Sequence, residues 1–224
     1  MTKFLKTPEE KITVTYNGIN KMFEPIRDEK VLSNFKKKYN LPEQYFLYTG
    51  VFRSHKNILG LIRAYAQFLK QNPNSSVHLV LAGPPDSPRV YYEVPELIKE
   101  LNLEDKIQIQ GIFPKDEIVK LISGAKAYVF PSFYEGFGIP PIEAMQCGVP
   151  VACSNTSSLP EVYGDAAIEF DPYLESEIVK ALEDVLDENI TSKLIEKGFK
   201  QSVKFKWEDM VKKMFGVYEG ILER

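Results

Sequence analysis

The sequence predicts an α/β protein built on a doubly wound parallel sheet. Three observations predict it. From about residue 45 onward, short apolar runs rich in β-favouring residues alternate with stretches whose apolar residues recur at helical spacing. Several of the runs end directly in loops rich in glycine, serine or proline. The chain has 224 residues, 44% hydrophobic and 26% charged, enough to bury one sizeable core.

The elements follow in order. KITVTYNGI (11–19) predicts one strand, with Asn17-Gly18 turning the chain, and residues 20–44, which include Lys36-Lys37-Lys38, predict a solvated helix. YFLYTGV (45–51) is the next strand, and Ile58, Leu61, Ile62, Tyr65, Phe68 and Leu69 mark the helix after it. VHLVLAG (77–83) is a strand followed by a helix through Leu97, Ile98 and Leu101. KIQIQG (106–111) is a strand followed by a short helix through Ile118, Leu121 and Ile122. AYVFPS (127–132), VPVACS (149–154) and AAIEF (166–170) complete the strands. At the end, Trp207, Met210, Val211, Met214, Tyr218, Ile221 and Leu222 form the stripe of an amphipathic helix, for which core packing is the usual reason. The chain therefore divides into an N-terminal segment (1–20) bearing one strand, an α/β domain (21–205) and a closing helix (206–224). Right-handed connections between parallel strands put helices on both faces, and ligands of such sheets bind at the strands' carboxyl ends. GVFRSHKN, AGPPDSP and SFYEGFG all lie at that edge.

Composition excludes several functions. A net charge of −3 and a pI near 5.6 argue against broad nucleic-acid binding. The two cysteines, Cys147 and Cys153, fit neither a zinc site nor a disulfide framework and read as reduced, buried thiols of a cytoplasmic protein. MTKFLKTPEEK has no apolar signal core, and no apolar run reaches the length of a membrane span, which leaves peripheral membrane contact open. No P-loop, dinucleotide fingerprint, D-x-D pair or His/Cys cluster occurs, so no metal or cofactor is expected.

The most informative stretch is EGFGIPPIE (135–143). Pro141 suits the first turn of a helix, which places Glu143 in that turn and the loop EGFG (135–138) before the helix N-terminus. Free N–H groups there favour an anion, and the glycines let the backbone approach a ligand. Glu135 and Glu143 can accept hydrogen bonds from hydroxyls of the same ligand. Simple interaction with the helix dipole is the other account of Glu143, and a solvated loop acid that of Glu135. A capping box is excluded, because position 140 is proline. In GVFRSHKN (50–57), Arg53, His55 and Lys56 put positive charge at a helix start, where a bound anion would compensate it; a solvated basic turn is the alternative.

The block VFPSFYEGFGIPPIEAMQCGVPVACSNTSSLPEVYGDAAIEFDP (129–172) resembles the signature of retaining, nucleotide-sugar-dependent glycosyltransferases of the GT-B fold, in the large group 1 family. FLYTGVFRSHKN, HLVLAGPP, IQIQGIFPKDEIVKLISGAKAYVFPS and FKWEDMVKKMFGVYEGIL match that family in order and spacing, so the resemblance covers about residues 10–222. It implies a Rossmann-like donor-binding domain for a GDP- or UDP-linked sugar. It implies that Glu143 holds the ribose hydroxyls and that Glu135 contacts the donor sugar. The backbone of Gly136 to Ile139 faces sugar and diphosphate, Lys56 neutralises the diphosphate, Gly50 belongs to the basic loop, and Gly111 and Ile112 flank the base. Where the family often has arginine before the lysine, this chain has His55, whose residue type charges with pH, and Arg53 stands by to compensate. The resemblance also implies a separate acceptor-binding half, which this stretch of sequence does not contain. A non-catalytic nucleotide-sugar-binding or regulatory subunit, and a nucleotide-sugar epimerase, are the alternative readings.

Overall fold

A computed structural model describes residues 6–84 and 88–222. Its centre is a six-stranded, all-parallel sheet in the order β3-β2-β1-β4-β5-β6. The strands are β1 (Tyr45–Thr49), β2 (His78–Ala82), β3 (Ile107–Gln110), β4 (Ala127–Phe130), β5 (Val151–Ser154) and β6 (Ala167–Phe170). Each predicted strand from residue 45 on is present, trimmed by one or two residues in all. The central strands read as continuous apolar runs because both faces are covered: Tyr45, Phe46, Leu47 and Tyr48 of β1 are wholly buried, as are Ala127, Tyr128 and Val129 of β4. The edge strand β3 leaves Ile109 exposed.

Nine α-helices surround the sheet among the described residues: α1 (Glu29–Lys38), α2 (Ile58–Gln71), α3 (Pro88–Glu100), α4 (Lys115–Ser123), α5 (Ile139–Gln146), α6 (Leu159–Tyr163), α7 (Glu175–Asp184), α8 (Glu188–Ser202) and α9 (Trp207–Leu222). Helix α2 packs with α3 and α7, while α5 packs with α6 and α8 and α1 packs on α4. These groups are the two helical layers that right-handed crossovers require once the strand order reverses between β1 and β4. The architecture is Rossmann-like and doubly wound, and its topological switch point lies between β1 and β4.

The flanking segments differ from expectation. Residues 11–19 form no strand. Both sides of β1 are taken by β2 and β4, and the segment runs instead along the start of α9. The Ile19 N–H donates to the Phe205 carbonyl at 3.0 Å, and Lys213 Nζ donates to the Val14 carbonyl at 3.2 Å. Asn17-Gly18 makes no turn; a Cβ on Gly18 would lie 2.2 Å from the Trp207 nitrogen, so the glycine permits close contact with α9, and the chain turns at Lys21-Met22. Within 20–44 only α1 is helical, started by the Asp28 carboxylate, which accepts from the Lys30 and Val31 N–H groups. It is not wholly solvated, since Phe35 is buried. Helix α9 is helical as predicted, but none of its residues is buried.

Candidate functional site

The loops after β1 and β4 diverge at the switch point, and both carry the side chains singled out in the sequence. After β1, residues Ser54–Lys56 form a single 3-10 turn that ends at Asn57, in the left-handed region at φ 53°. Asn57 caps nothing with its side chain. Its Nδ2 donates to the Pro172 carbonyl at 2.8 Å, which ties the start of α2 to the loop after β6. After β4, the chain runs through Ser132 to Gly138 and enters α5. The two loops are joined through the backbone, where the Phe133 N–H donates to the His55 carbonyl at 2.8 Å. They are joined again through side chains: Lys56 Nζ lies 2.6 Å from Glu135 Oε1, with the two side chains only 14% and 13% exposed. Lys56 also sits over the Phe130 ring, 5.3 Å from its centroid.

Helix α5 starts earlier than its prolines suggest. Ile139 is its first residue and Gly138, at φ 107°, precedes it. Glu143 is therefore in the second turn, not the first, and interaction with the free N–H groups of the first turn no longer explains it. Among the described residues its carboxylate has no hydrogen-bond partner, and burial pushes its pKa up to about 7. A half-buried carboxyl without donors is costly to ionise, and a ligand bearing hydroxyls relieves that cost.

The backbone between the two acids is open. Among the described residues, the N–H groups of Gly136, Phe137, Gly138 and Ile139 have no hydrogen-bond partner, and the prolines at 140 and 141 bring none. The carbonyls on the other side of this loop are held. Ser158 Oγ lies 3.0 Å from both the Glu135 and the Phe137 carbonyl and shares its proton between them, and the Glu135 N–H donates to Ser157 Oγ at 3.0 Å. Thr156 Oγ1 donates to the Ser132 carbonyl, and Ser154 Oγ to the Phe130 carbonyl. Residues 154–158 thus brace the loop with hydroxyls and leave a row of unpaired amides, an arrangement suited to an anion. The wholly buried Ser132 keeps its Oγ unpaired among the described residues.

The remaining candidates are distributed around this centre. Gly50 adopts φ 148°, and its N–H donates to the Ala82 carbonyl. Gly83 passes so close to it that a Cβ there would lie 2.0 Å from the Gly50 carbonyl oxygen. Arg53 and His55 are exposed. Arg53 lines a separate cavity of about 340 Å³ with Arg63, Val90, Glu93 and Phe133, which none of Lys56, Glu135 and Glu143 lines. Gly111 and Ile112 follow the edge strand β3; open space surrounds Gly111, and Ile112 is exposed. The Phe137 side chain turns to packing, with its ring 6.1 Å from Tyr16 and 5.5 Å from Phe205. Of the AGPPDSP loop, residues 85–87 lie outside the described residues. Both cysteines are buried and unpaired, and burial pushes the Cys147 thiol up to about 12.

Sequence reasoning missed the braces: Thr156, Ser157 and Ser158, the Asn57 tie, Gly83, and the Tyr16–Phe205 contact with the loop. The signal for the first set was a run of hydroxyl residues directly after β5, the strand that pairs with β4.

Comparison with known proteins places the chain in a family and a fold. The chain is 36% identical over 189 residues to the O-antigen chain mannosyltransferase B of Escherichia coli, an alignment that covers 81% of this chain and 48% of that protein. The chain spans about half the length or less of the curated relatives it matches. Among solved structures, a glycosyltransferase from Rickettsia africae superposes with a TM-score of 0.88 at 23% identity, over all of this chain and 60% of the other. The Anabaena protein HepE, solved with UDP, gives a TM-score of 0.80 at 19% identity, over 98% of this chain and 59% of the other. At these identities the two structures establish the fold. The family model for glycosyl transferases group 1 matches residues 31–201, the whole sheet and both loops of the site, and the chain belongs to that family.

Proposed function

We propose that this chain is the nucleotide-sugar-binding half of a retaining glycosyltransferase that moves a hexose from a nucleoside-diphosphate sugar to a glycan or lipid-linked acceptor. The observation that carries the reading is the row of unpaired amides from Gly136 to Ile139, flanked by Glu135 and Glu143 and faced by Lys56. In this reading the amides and Lys56 take the diphosphate, whose charge the protein neutralises itself. Glu143 takes the ribose hydroxyls and Glu135 those of the sugar. The base lies toward Gly111 and Ile112. As the diphosphate leaves, negative charge grows on its oxygens, and Lys56 and the fixed amides stabilise it without reorganising. The acceptor hydroxyl then attacks from the face the leaving group vacates, held by an acceptor-binding half. The mannosyltransferase relatives support a hexose, and the neighbours solved with UDP and UDP-glucose support a nucleotide donor. GDP- and UDP-linked donors both fit.

A thermal-shift panel of UDP, GDP and their hexose conjugates tests the reading, because a ligand of the folded state raises the melting temperature with the logarithm of its concentration over Kd. At least one nucleotide is expected to stabilise the chain, and Lys56→Ala is expected to weaken it about tenfold or more, the scale of a charge-assisted hydrogen bond. Loss of affinity in Glu143→Gln is expected to be larger for the ribonucleotide than for its 2′,3′-dideoxy analogue. No shift with any nucleotide, or equal loss with both sugars, refutes the assignment.

A further inference from the structure

Lys56 and Glu135 are both directed at the donor in the reading above, yet in this structure they are directed at each other, 2.6 Å apart and largely buried. Among the described residues the Glu135 carboxylate has no other hydrogen-bond partner, and the Lys56 ammonium otherwise has only the face of Phe130. Separating such a pair is unfavourable because each charge is left desolvated without its counter-charge. A diphosphate that takes Lys56 therefore removes the partner of Glu135. A ligand restores the balance only if it brings hydrogen-bond donors of its own to that carboxylate. Sugar hydroxyls are such donors. A bare nucleoside diphosphate has none at that end and adds like charge beside the acid.

We propose, resting on the donor-site reading, that Glu135 competes with the diphosphate for Lys56, so that the pair discriminates the nucleotide sugar from the nucleotide left after transfer. The intact donor exchanges one contact for two: Lys56 to phosphate oxygens, sugar hydroxyls to Glu135. Once the sugar has moved to the acceptor, Glu135 has lost its donors, reclaims Lys56, and the nucleoside diphosphate is released. The braced loop makes this exchange a matter of side chains alone, since Ser157 and Ser158 hold the Glu135 backbone on both sides.

The test is titration calorimetry of the 224-residue chain with UDP, GDP, UDP-glucose and GDP-mannose. Glu135→Gln keeps the shape and removes the competing charge. The variant is expected to bind the free nucleoside diphosphate about tenfold more tightly than the parent, with no matching gain for the sugar conjugate. The same substitution placed on Lys56→Ala is expected to shrink that gain to about threefold or less, because only through-solvent repulsion then remains to be relieved. An equal gain in both backgrounds overturns the competition in favour of plain repulsion. No gain in Glu135→Gln overturns it as well, and leaves the donor-site reading standing if the parent chain binds any of the four ligands. Absence of binding by the parent chain rejects both. Independently of any ligand, Lys56 is expected to be acylated faster by a small amine-reactive ester in Glu135→Gln than in the parent. Equal rates overturn the pair, and matching circular dichroism spectra of the two proteins separate this result from misfolding.

Discussion

The loop after β4 is fastened along its length. Its carbonyls meet Ser158, its Glu135 N–H meets Ser157, its Phe133 N–H meets His55, and Phe137 packs between Tyr16 and Phe205. Among the described residues, the closing helix α9 is fastened only toward its start, where Gly18 abuts Trp207, Lys21 pairs with Glu208 at 2.9 Å and Lys213 reaches Val14. Beyond that its apolar stripe faces outward, with Phe215, Tyr218, Ile221 and Leu222 all exposed. One region is over-determined by its neighbours, and among the described residues the amides of Gly136 to Ile139 left unmatched there are groups a ligand would satisfy. The other is a stripe with no buried residue, so the core packing that such a stripe usually signals is not found among the described residues. The contrast implies that substitutions in the loop are felt by this chain and that those on the outer face of α9 are not.

The largest effect is expected at Gly138. Its φ of 107° is one that side chains rarely adopt, and an added Cβ would lie 2.5 Å from Leu159 Cδ2, which is wholly buried. Gly138→Val combines backbone strain with overpacking and is expected to destabilise the fold by about 2–5 kcal/mol. Urea unfolding of the variant checks it, and an unchanged midpoint would mean that the loop yields freely, which would erase the contrast with α9.

Glu143 gives the next effect, with a sign that depends on pH. Its carboxyl ionises near 4.5 in the ordinary state and near 7 when folded. The folded chain therefore holds the proton more tightly than the unfolded one. Stability is full below about pH 4.5, declines as pH rises toward 7, and carries the whole penalty above that. Glu143→Gln removes the penalty. It is expected to match the parent near pH 4 and to be more stable at pH 8 by up to about 3 kcal/mol, while losing ribonucleotide affinity. Paired melting curves at the two pH values check this. A difference that does not change with pH would show the carboxylate to be ionised and satisfied already.

Ser158→Ala is expected to cost less, about 0.5–1.5 kcal/mol, because water reaches this partly exposed loop and replaces some of the lost donation to the Glu135 and Phe137 carbonyls. Amide hydrogen exchange at Glu135 is the sharper readout, since its N–H bond to Ser157 is expected to open more often when the neighbouring brace is gone.

How much of this was legible in the sequence follows from how local each feature is. The strands could be read because a strand covered on both faces is an uninterrupted apolar run, and Tyr45 to Tyr48 is such a run. Glu135, the glycines and Lys56 could be singled out because each lies in a loop that follows a strand, where the topology places ligands, and Glu143 because it lies on the helix that the second loop enters. The Lys56–Glu135 pairing was not legible, since the residues are 79 positions apart and meet only because the strand order reverses between β1 and β4. Residues 11–19 looked like a strand because an extended chain has the same residue preferences whether or not a neighbouring strand is free to pair with it. Helices α6, α7 and α8 went unread between residues 159 and 202. The first is a single turn, and the other two are no more apolar than α3, so their composition does not set them apart. Glu143 was read into the first turn of α5 and lies in the second, because Pro141 suits the first turn without fixing which place in that turn it takes.

The smallest effect is expected on α9, and it tests the contrast from the other side. Val211 and Phe215 lie on the same helical face, four residues apart, 46% and 60% exposed. Replacing both by serine removes apolar surface that this chain already leaves in water, so the transfer and cavity terms that make core truncations cost about 2–5 kcal/mol do not arise. What remains is the small difference in helix propensity and in exposed apolar area, about 0.5 kcal/mol or less per site. Val211→Ser with Phe215→Ser is therefore expected to leave the melting temperature of the chain nearly unchanged. If the chain pairs with itself through this face, the double variant is expected to lower the sedimentation coefficient at high concentration without altering the melting of the dilute protein. A loss on the scale of a core truncation in dilute solution would show that α9 folds back onto the sheet domain, and the stripe would then belong to the core it was first read as joining.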